Sequence, residues 1–291
     1  MEFPASNRHR FVFSEEDARA LPPEQPYLAY VSYADWTDGN FHMMMHTHED
    51  AAEVLLLLKG RGRYSVGLHR HQISAGDIVL IGAGTLHDEM PQTDGQYQTI
   101  CIGIRRLSLP GLATGELLKP SVCPIFYQPK QFEDLAQLLR LIERHAAEQG
   151  AYYQPLCQNL MLAALSLIQQ MVENRELPAA QETGTLCTRV EQYIDAHFAE
   201  ELSVDRLSKQ FFVSPYHLSH IFKQHTGYSP KQYILRRRIG EAQMRLIDTK
   251  DTVQKIAAEV GFEDGNYFSR LFTKYIGMSP VEYRNFRTGK D

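Results

Sequence analysis

The chain has 291 residues, of which 43% are hydrophobic and 22% are charged, and its formal net charge is −5 at pH 7. This composition is typical of a globular protein with room for two domains, and it excludes fibrous and disordered classes. No apolar run is long enough to cross a bilayer and the four cysteines lack metal or redox spacing, so we expect a cytoplasmic protein with no membrane partner.

The N-terminal part of the chain is predicted to form short strands separated by turns. Its apolar segments are bounded by Gly, Asp or Pro and cover residues 27–34, 52–60, 62–68, 71–84 and 97–104. Short strands at this spacing predict an antiparallel sandwich or barrel.

Histidines and a glutamate lie among these strands. The segment "MMHTHEDAAEVLLLLKG" contains His46, His48 and Glu53, and His87 follows a Gly-rich turn. Residues i and i+2 of a strand share a face, so His46 and His48 can converge inside a barrel. Three imidazoles and a carboxylate suit a divalent transition metal, but they can also hydrogen-bond a polar ligand or be satisfied core side chains. All three interpretations stay open.

The spacing of these residues resembles the two motifs of the cupin family. The second motif is matched by Gly76, Gly82, Gly84 and His87. Two positions depart from it, because Gly82 stands where Pro is usual and Pro91 where Asn is usual. The resemblance implies a cupin-like β-barrel over residues 1–130.

The predicted barrel also offers side chains that could bind a small polar molecule. Trp36 is the only Trp of the chain, and an indole face stacks well on sugar rings. The candidate effector-binding residues are Trp36, His46, His48, Glu53 and His87. We expect no required cofactor, while a divalent transition metal remains compatible with His46, His48, Glu53 and His87.

The apolar period changes after residue 130. Apolar residues then recur at three- and four-residue steps, which predicts two amphipathic helices within residues 131–174, divided by "EQGAYY". Their apolar stripes either cover the β-domain or join two subunits, and we expect a homodimer formed through this pair. Residues 175–184 are polar, contain Pro and Gly, and predict a linker to a second domain over 185–291.

The second domain contains one motif twice. Seven positions from Leu218 to Tyr233 match positions fifty residues later, from Phe268 to Tyr283. Each copy predicts a helix, a tight turn, a second helix and a Gly stop, which is an all-α double helix-turn-helix. Its helix caps are predicted at Ser203, Ser214, Gly227, Thr252 and Gly277.

The outward side chains of each second helix are candidates to contact DNA. In a helix-turn-helix motif the second helix enters the major groove, and Arg or Asn there can bond a base bidentately. The predicted DNA-binding residues are Tyr216, Ser219, His220, Lys223, Asn266, Tyr267, Ser269, Arg270 and Lys274.

A basic excess accompanies the two motifs. Residues 1–184 hold 14 Lys and Arg against 22 Asp and Glu, a net charge of −8, whereas residues 185–291 hold 16 against 13, a net charge of +3. We expect a phosphate-binding stripe formed by "LRRR" at 235–238 together with Lys209, Lys223, Lys231, Arg270, Lys274, Arg284 and Arg287.

The helix between the two motifs can set their separation. It is predicted to run from the Ser-Pro pair at 229 and 230 to about residue 248. Its length of roughly 28 Å is close to the spacing of about 34 Å between successive major-groove faces. One chain would therefore bind two groove segments on one face of the duplex.

The segment "VQKIAAEVGFEDGNYFSRLFTKYIGMSPVEYR", residues 253–284, resembles the signature of the AraC/XylS family of bacterial transcription regulators. The resemblance covers residues 185–287 most strongly. It implies a non-enzymatic regulator that binds promoter DNA, is controlled by a small molecule such as a sugar, and contacts RNA polymerase if it is an activator.

Two other classes of function stay open. One is a metal-dependent cupin enzyme fused to a DNA-binding tail, although no further acid-base pair or nucleophile accompanies the four candidate ligands. The other is a constitutive DNA-binding protein whose barrel only dimerises it. The sequence identifies neither the effector nor the operator, nor whether transcription is raised or lowered.

Overall fold

A computed structural model describes residues 8–36, 44–67, 69–92, 96–119, 122–173 and 185–288. The chain divides into two compact units. The N-terminal unit comprises Met1–Gly39 and Thr47–Ala180, and the C-terminal unit comprises Asn40–His46 and Gln181–Asp291. The predicted linker at 175–184 lies outside the described residues.

The N-terminal unit is built on two antiparallel sheets. Its strands are β1 (Arg8–Val12), β2 (Tyr27–Trp36), β3 (Ala51–Lys59), β4 (Arg61–Val66), β5 (His69–Ser74), β6 (Asp77–Ile81), β7 (His87–Pro91), β8 (Tyr97–Arg105) and β9 (Ile125–Tyr127). The larger sheet has the order β1-β2-β8-β3-β6-β9, and the smaller one has the order β5-β4-β7. A 3₁₀ turn, Asp17–Ala20, lies between β1 and β2.

The burial of each strand explains its sequence pattern. Strand β3 is buried from Ala51 to Leu57 and is almost continuously apolar, whereas β4 alternates exposed and buried residues. The segment 71–84 divides at a turn in which Gly76 has a φ of 99°. Strands β1, β7 and β9 were not predicted, because "RHRFV", "HDEMP" and "IFY" are short or rich in polar residues.

Two helices complete this unit. They are α1 (Pro129–Glu148) and α2 (Tyr153–Glu173), and they lie where the apolar period predicts helices. Their buried residues, among them Leu139 and Ile168, share one core with strand residues such as Val54 and Ile102. The most buried face of the two helices therefore packs on the sheet. This agrees with the interpretation that their apolar stripes cover the β-domain.

The C-terminal unit is helical. Its helices are α3 (Leu186–His197), α4 (Val204–Gln210), α5 (Pro215–Thr226), α6 (Pro230–Asp248), α7 (Val253–Glu259), α8 (Gly265–Ile276) and α9 (Pro280–Thr288). Helices α4 and α5 form the first helix-turn-helix motif, α7 and α8 form the second, and α6 joins them. The predicted two-domain α+β fold is confirmed.

Local capping explains where these helices begin and end. The side chains of Ser203, Ser214 and Thr252 each accept a hydrogen bond from the backbone N–H three residues later. Gly227 and Gly277 end α5 and α8 in the left-handed conformation. These caps confirm the predicted boundaries, because each satisfies a backbone group that the helix leaves unpaired.

The C-terminal unit is discontinuous in the chain. Met44 is buried in its core beside residues of α6 and α8, and the Met44 N–H donates to Gln243 Oε1 at 3.0 Å. A Cβ at Gly240 would collide with the backbone carbonyl of Met45, so α6 carries glycine at this approach. The core of this unit is therefore completed by residues from the N-terminal part of the sequence.

Candidate nucleic-acid interface and effector site

The two recognition helices present their predicted DNA-binding residues on the outside. Helix α5 buries Leu218 and Phe222, and α8 buries Phe268 and Phe272. The opposite faces leave exposed the side chains of Tyr216, His220, Lys223, Asn266, Tyr267, Arg270 and Lys274. Each helix thus has an apolar face for the core and a polar face able to meet DNA.

Two serines of the predicted set are less available. Ser219 and Ser269 are half-buried, and Ser269 Oγ donates to the Gly265 carbonyl at 2.8 Å. A hydroxyl that is bonded within its own helix keeps only its acceptor capacity for DNA. The roles of all nine residues stay predictions.

The prediction that the arginines bind phosphates is wrong for Arg236 and Arg237 on α6 and for Arg287 on α9. Arg236 and Arg237 are buried, and their guanidinium groups lie 4.6 Å from the Tyr228 ring and 4.3 Å from the Phe198 ring. Arg287 is also buried. The physical reason is that α6 is enclosed by its neighbours, so these cations pair with rings and carboxylates inside the unit. Five cations of the stripe remain exposed, namely Lys209, Lys223, Lys231, Arg270 and Lys274.

The interior of the N-terminal unit contains a buried carboxylate. Glu53 on β3 lies with its Oε1 atom 3.1 Å from His48 Nε2 and its Oε2 atom 3.0 Å from His87 Nε2. Glu53 belongs to the larger sheet, while His87 begins β7 of the smaller sheet. The cluster thus joins residues from both sheets with His48 from the loop before β3.

Tyr30 is a fourth member that sequence reasoning missed. Its hydroxyl donates to Glu53 Oε1 across strand β8. Both Tyr30 and Glu53 pair with Gly103 in the sheet register, and a Cβ at Gly103 would collide with the Tyr30 ring. Gly103 therefore lets the tyrosine ring lie across β8 to reach the carboxylate. A local sequence signal for this contact does not exist, because it depends on the register of three strands.

The electrostatics of the cluster favour a charged glutamate. Burial alone would raise the pKa of Glu53, but His48 and His87 outweigh it and hold that pKa well below its usual value. Burial lowers the pKa of His87, but its hydrogen bond to Glu53 raises it above the usual value overall. Burial, followed by the Glu53 charge, raises the pKa of Tyr30 far enough to keep its hydroxyl a donor.

The donor atoms are close enough to hold a metal. One ligand atom from each of His48, Glu53 and His87 lies within 4.8 Å of the others. Two imidazoles and a carboxylate are a set that divalent transition metals accept. His46 lies in the segment grouped with the C-terminal unit, where its Nδ1 is 2.7 Å from the Met44 carbonyl oxygen. Its membership of the site stays a prediction, and the Trp36 side chain lies outside the described residues.

Two family models match the chain. Residues 28–165 match a domain described as an AraC-like ligand binding domain, and residues 207–285 match a helix-turn-helix domain. The chain belongs to the AraC family. It is therefore a DNA-binding transcriptional regulator with an N-terminal ligand-binding domain, as the sequence predicts.

Relatives in the AraC family align over most of the chain. The transcriptional regulator YdiP of Escherichia coli K12 is 24% identical over 89% of this chain and 86% of its own. The transcriptional activator RhaS of Escherichia fergusonii is 27% identical over 95% of each. Among solved structures, ToxT of Vibrio cholerae bound to an unsaturated fatty acid is 13% identical, covers 99% of this chain and 98% of its own, and has a TM-score of 0.45. Among the helices of the described residues, none combines the length and apolarity needed to cross a bilayer.

Proposed function

We propose that a small polar molecule, a sugar or related metabolite, binds at the buried Glu53 cluster and controls the binding of promoter DNA. The observation that carries this proposal is the placement of one ionised carboxylate between two sheets, with donors from each. Sugar hydroxyls both donate and accept hydrogen bonds, so they match alternating imidazole, carboxylate and phenol groups. A cytoplasmic location follows from the DNA partner.

The ligand acts by replacing partners of Glu53. A hydroxyl group that bonds the carboxylate competes with His48, His87 or Tyr30. These three side chains belong to different strands or loops, so losing each bond affects a different element. A ligand shifts a conformational equilibrium only by its differential affinity for the two states. The Glu53 cluster provides that difference, because its internal bonds exist in one state and ligand bonds in the other.

The proposal is tested by thermal-shift screening of the full chain with sugars, amino sugars and divalent metals. A ligand that binds the native state raises the melting temperature by mass action. We expect Glu53→Gln to abolish both this shift and the effect of the ligand on DNA binding, with basal DNA affinity retained. Asp50→Asn is the matched control, because Asp50 is three residues away, exposed, and bonded to Arg105. A ligand response that survives Glu53→Gln would place the effector elsewhere.

A divalent metal is the second candidate for the same site. It is supported by the close approach of ligand atoms from His48, Glu53 and His87. Both carboxylate oxygens of Glu53 already bond the imidazoles, and a metal would have to replace these bonds, so we favour a metal-free site. Elemental analysis of protein never exposed to chelators or a nickel column decides the matter. About one zinc, nickel, iron or manganese per chain, lost in His48→Ala, would overturn the metal-free proposal.

Helix α2 supports the proposed homodimer. Its buried face, which includes Met161 and Ile168, packs on the sheet core. A second apolar stripe on α2 is exposed or half-buried, and it consists of Leu156, Leu160, Ala163 and Leu167 at steps of three and four. An apolar helix face left at the surface is a favourable contact for the same face of a second copy.

The dimer is tested by sedimentation of variants on and off this stripe. We expect Leu160→Lys to shift the protein toward monomer, because it places a charge in the proposed interface. Asn159→Lys adds the same charge to the neighbouring exposed position, outside the stripe, and is expected to leave the dimer intact. If Leu160→Lys sediments as wild type does, α2 is not the interface.

We further propose that the chain activates transcription without being an enzyme itself. The relative RhaS is described as a transcriptional activator. The proposed partner is RNA polymerase, and the test is transcription in vitro from a bound promoter with and without the protein. Lower transcript levels in its presence would make it a repressor. A product formed from a bound metabolite would instead support a cupin enzyme with a DNA-binding tail.

A further inference from the structure

The two helix-turn-helix motifs are connected by helix α6 and also by contacts beside it. Helix α6 sets the distance between them, and short connections at residues 227–229 and 249–252 join it to the two motifs. A fixed angle needs a tie between the motifs away from the helix ends. The structure has such a tie beside the middle of α6.

Arg238 on α6 bonds backbone of the second motif and backbone of the segment that leads into the first motif. Its Nε donates to the Phe198 carbonyl at 2.7 Å and its Nη2 to the Glu200 carbonyl at 2.7 Å, both in the segment between α3 and α4. Its Nη1 donates to the carbonyl of Gly261 at 2.6 Å, in the turn between α7 and α8. The planar guanidinium has a rigid fork of donors, so three carbonyls held by it are held relative to one another.

The same two segments also lie against each other. Gly261 has a φ of 88°, and a Cβ at this position would collide with the Ala199 carbonyl oxygen. The turn of the second motif therefore rests on the backbone that leads into the first motif. Arg238 fastens this contact from the side of α6.

We propose that Arg238 is a positioning residue that locks the angle between the two helix-turn-helix motifs, so that the protein accepts one separation between two recognised DNA segments. The proposal rests on DNA binding by both motifs. One inserted base pair moves a DNA segment about 3.4 Å along and about 35° around the duplex axis. A locked joint cannot follow this displacement, whereas a loosened joint can follow part of it.

The test measures selectivity for spacing. Binding sites are selected from a randomised duplex library with the full wild-type chain, and one base pair is then inserted between the two recognised segments. We expect the insertion to weaken wild-type binding about tenfold or more, and to weaken Arg238→Gln binding only about twofold. The readout for each protein is the ratio of its affinity for the selected duplex to its affinity for the duplex with the inserted base pair. A merely structural loss lowers both affinities and leaves this ratio unchanged.

Arg284→Gln is the matched control. Arg284 also donates to two backbone carbonyls, those of Leu246 and Asp251, but it ties only the end of α6 and the following loop to α9. We expect this variant to keep the wild-type ratio. Arg238→Lys, which keeps the charge but not the fork, provides the readout if Arg238→Gln does not fold.

Three results would overturn the proposal. In the first, the Arg238 variant that folds has the same affinity ratio as wild type. In the second, Arg284→Gln loses as much of that ratio as the Arg238 variant does. In the third, the selected sites contain only one recognised segment. Failure of DNA binding by the wild-type chain is a different outcome, because it would contradict the function of the motifs rather than the role of Arg238.

Discussion

The two helix-turn-helix motifs have the same frame and different turns. In each, a helix of seven residues precedes one of twelve that ends at a glycine. The second residue after the first helix is left-handed in both motifs, but it is Phe212 in the first motif, with a φ of 56°, and Gly261 in the second. The Phe212 side chain is 95% exposed, whereas Gly261 meets the Ala199 backbone.

The difference shows what glycine is needed for in this turn. A left-handed conformation costs a residue with a Cβ about 1–2 kcal/mol, and the first motif tolerates that cost. The second motif has an additional steric requirement, because another backbone occupies the place of a side chain. The close approach, more than the conformation, therefore accounts for the glycine.

The recognition helices differ in the chemistry that they expose. Helix α5 presents Tyr216 and His220, whose rings stack 6.3 Å apart, while α8 presents Asn266 and Arg270. Arg and Asn bond guanine and adenine bidentately, and Tyr or His make single contacts. We therefore expect the second motif to contribute more of the sequence preference.

The largest expected effect is that of a methyl group in the turn of the second motif. Gly261→Ala adds a Cβ in both an unfavourable conformation and an occupied place, so we expect a loss of about 2–4 kcal/mol in unfolding free energy. Urea unfolding of the full chain followed by circular dichroism measures it. Phe212→Ala places alanine at the equivalent position of the first turn, and its unfolding free energy should stay within about 0.5 kcal/mol of wild type. Equal losses would show that both turns are equally constrained.

The next effect concerns base preference. Arg270→Ala should lose about 1–3 kcal/mol on a selected site and relax the preference at one base pair, whereas His220→Ala should lose less. Titration of each variant against the selected duplex and its single-base variants measures both quantities. A greater loss of preference in His220→Ala would reverse the assignment of the two motifs.

The lysines test what the motifs share. Lys223 and Lys274 occupy the exposed side of the two recognition helices, and each is proposed to meet a phosphate. Alanine at either position should weaken binding to specific and random duplexes alike and reduce the salt slope by about 0.9. The measurement is affinity against salt concentration. A change on the selected duplex alone would indicate that the lysine contacts a base.

The smallest expected effect has the opposite sign. Phe212→Gly removes the left-handed strain of about 1–2 kcal/mol and adds about 0.5–1 kcal/mol of backbone entropy cost, so the net gain in stability is between about 0 and 1.5 kcal/mol. A raised urea midpoint with unchanged DNA affinity is the expected result. A lower DNA affinity in this more stable variant would mean that the exposed ring contacts DNA.

Local signals allowed the helical part of the fold to be predicted from sequence. Ser214, Gly227 and Thr252 act within one turn of their own position, so their spacing along the chain is sufficient to predict the caps. The burial of Arg236 and Arg237 could not be predicted this way, because charged residues are usually at the surface. Their burial depends on rings supplied by Tyr228 and Phe198.

The candidate effector site shows the same limit. His48, Glu53 and His87 could be selected by residue type and spacing, and the structure brings these three together. Tyr30 could not, since its contact with Glu53 depends on two strand registers that meet at Gly103. Pairing between strands distant in sequence is set by the whole sheet and leaves no local pattern.

The Met44 contact limits how the regulator can be recombined with other proteins. A chimera that takes only residues 185–291 acquires both helix-turn-helix motifs but leaves Met44 behind, together with its hydrogen bond to Gln243. Removal of a buried methionine side chain typically costs about 2–5 kcal/mol. A graft that also supplies the segment around Met44, which lies against Gly240, would keep this part of the core filled. Exchange of the DNA-binding part therefore involves three junctions in the sequence, two flanking residues 40–46 and one before residue 181, where a domain continuous in sequence would need one.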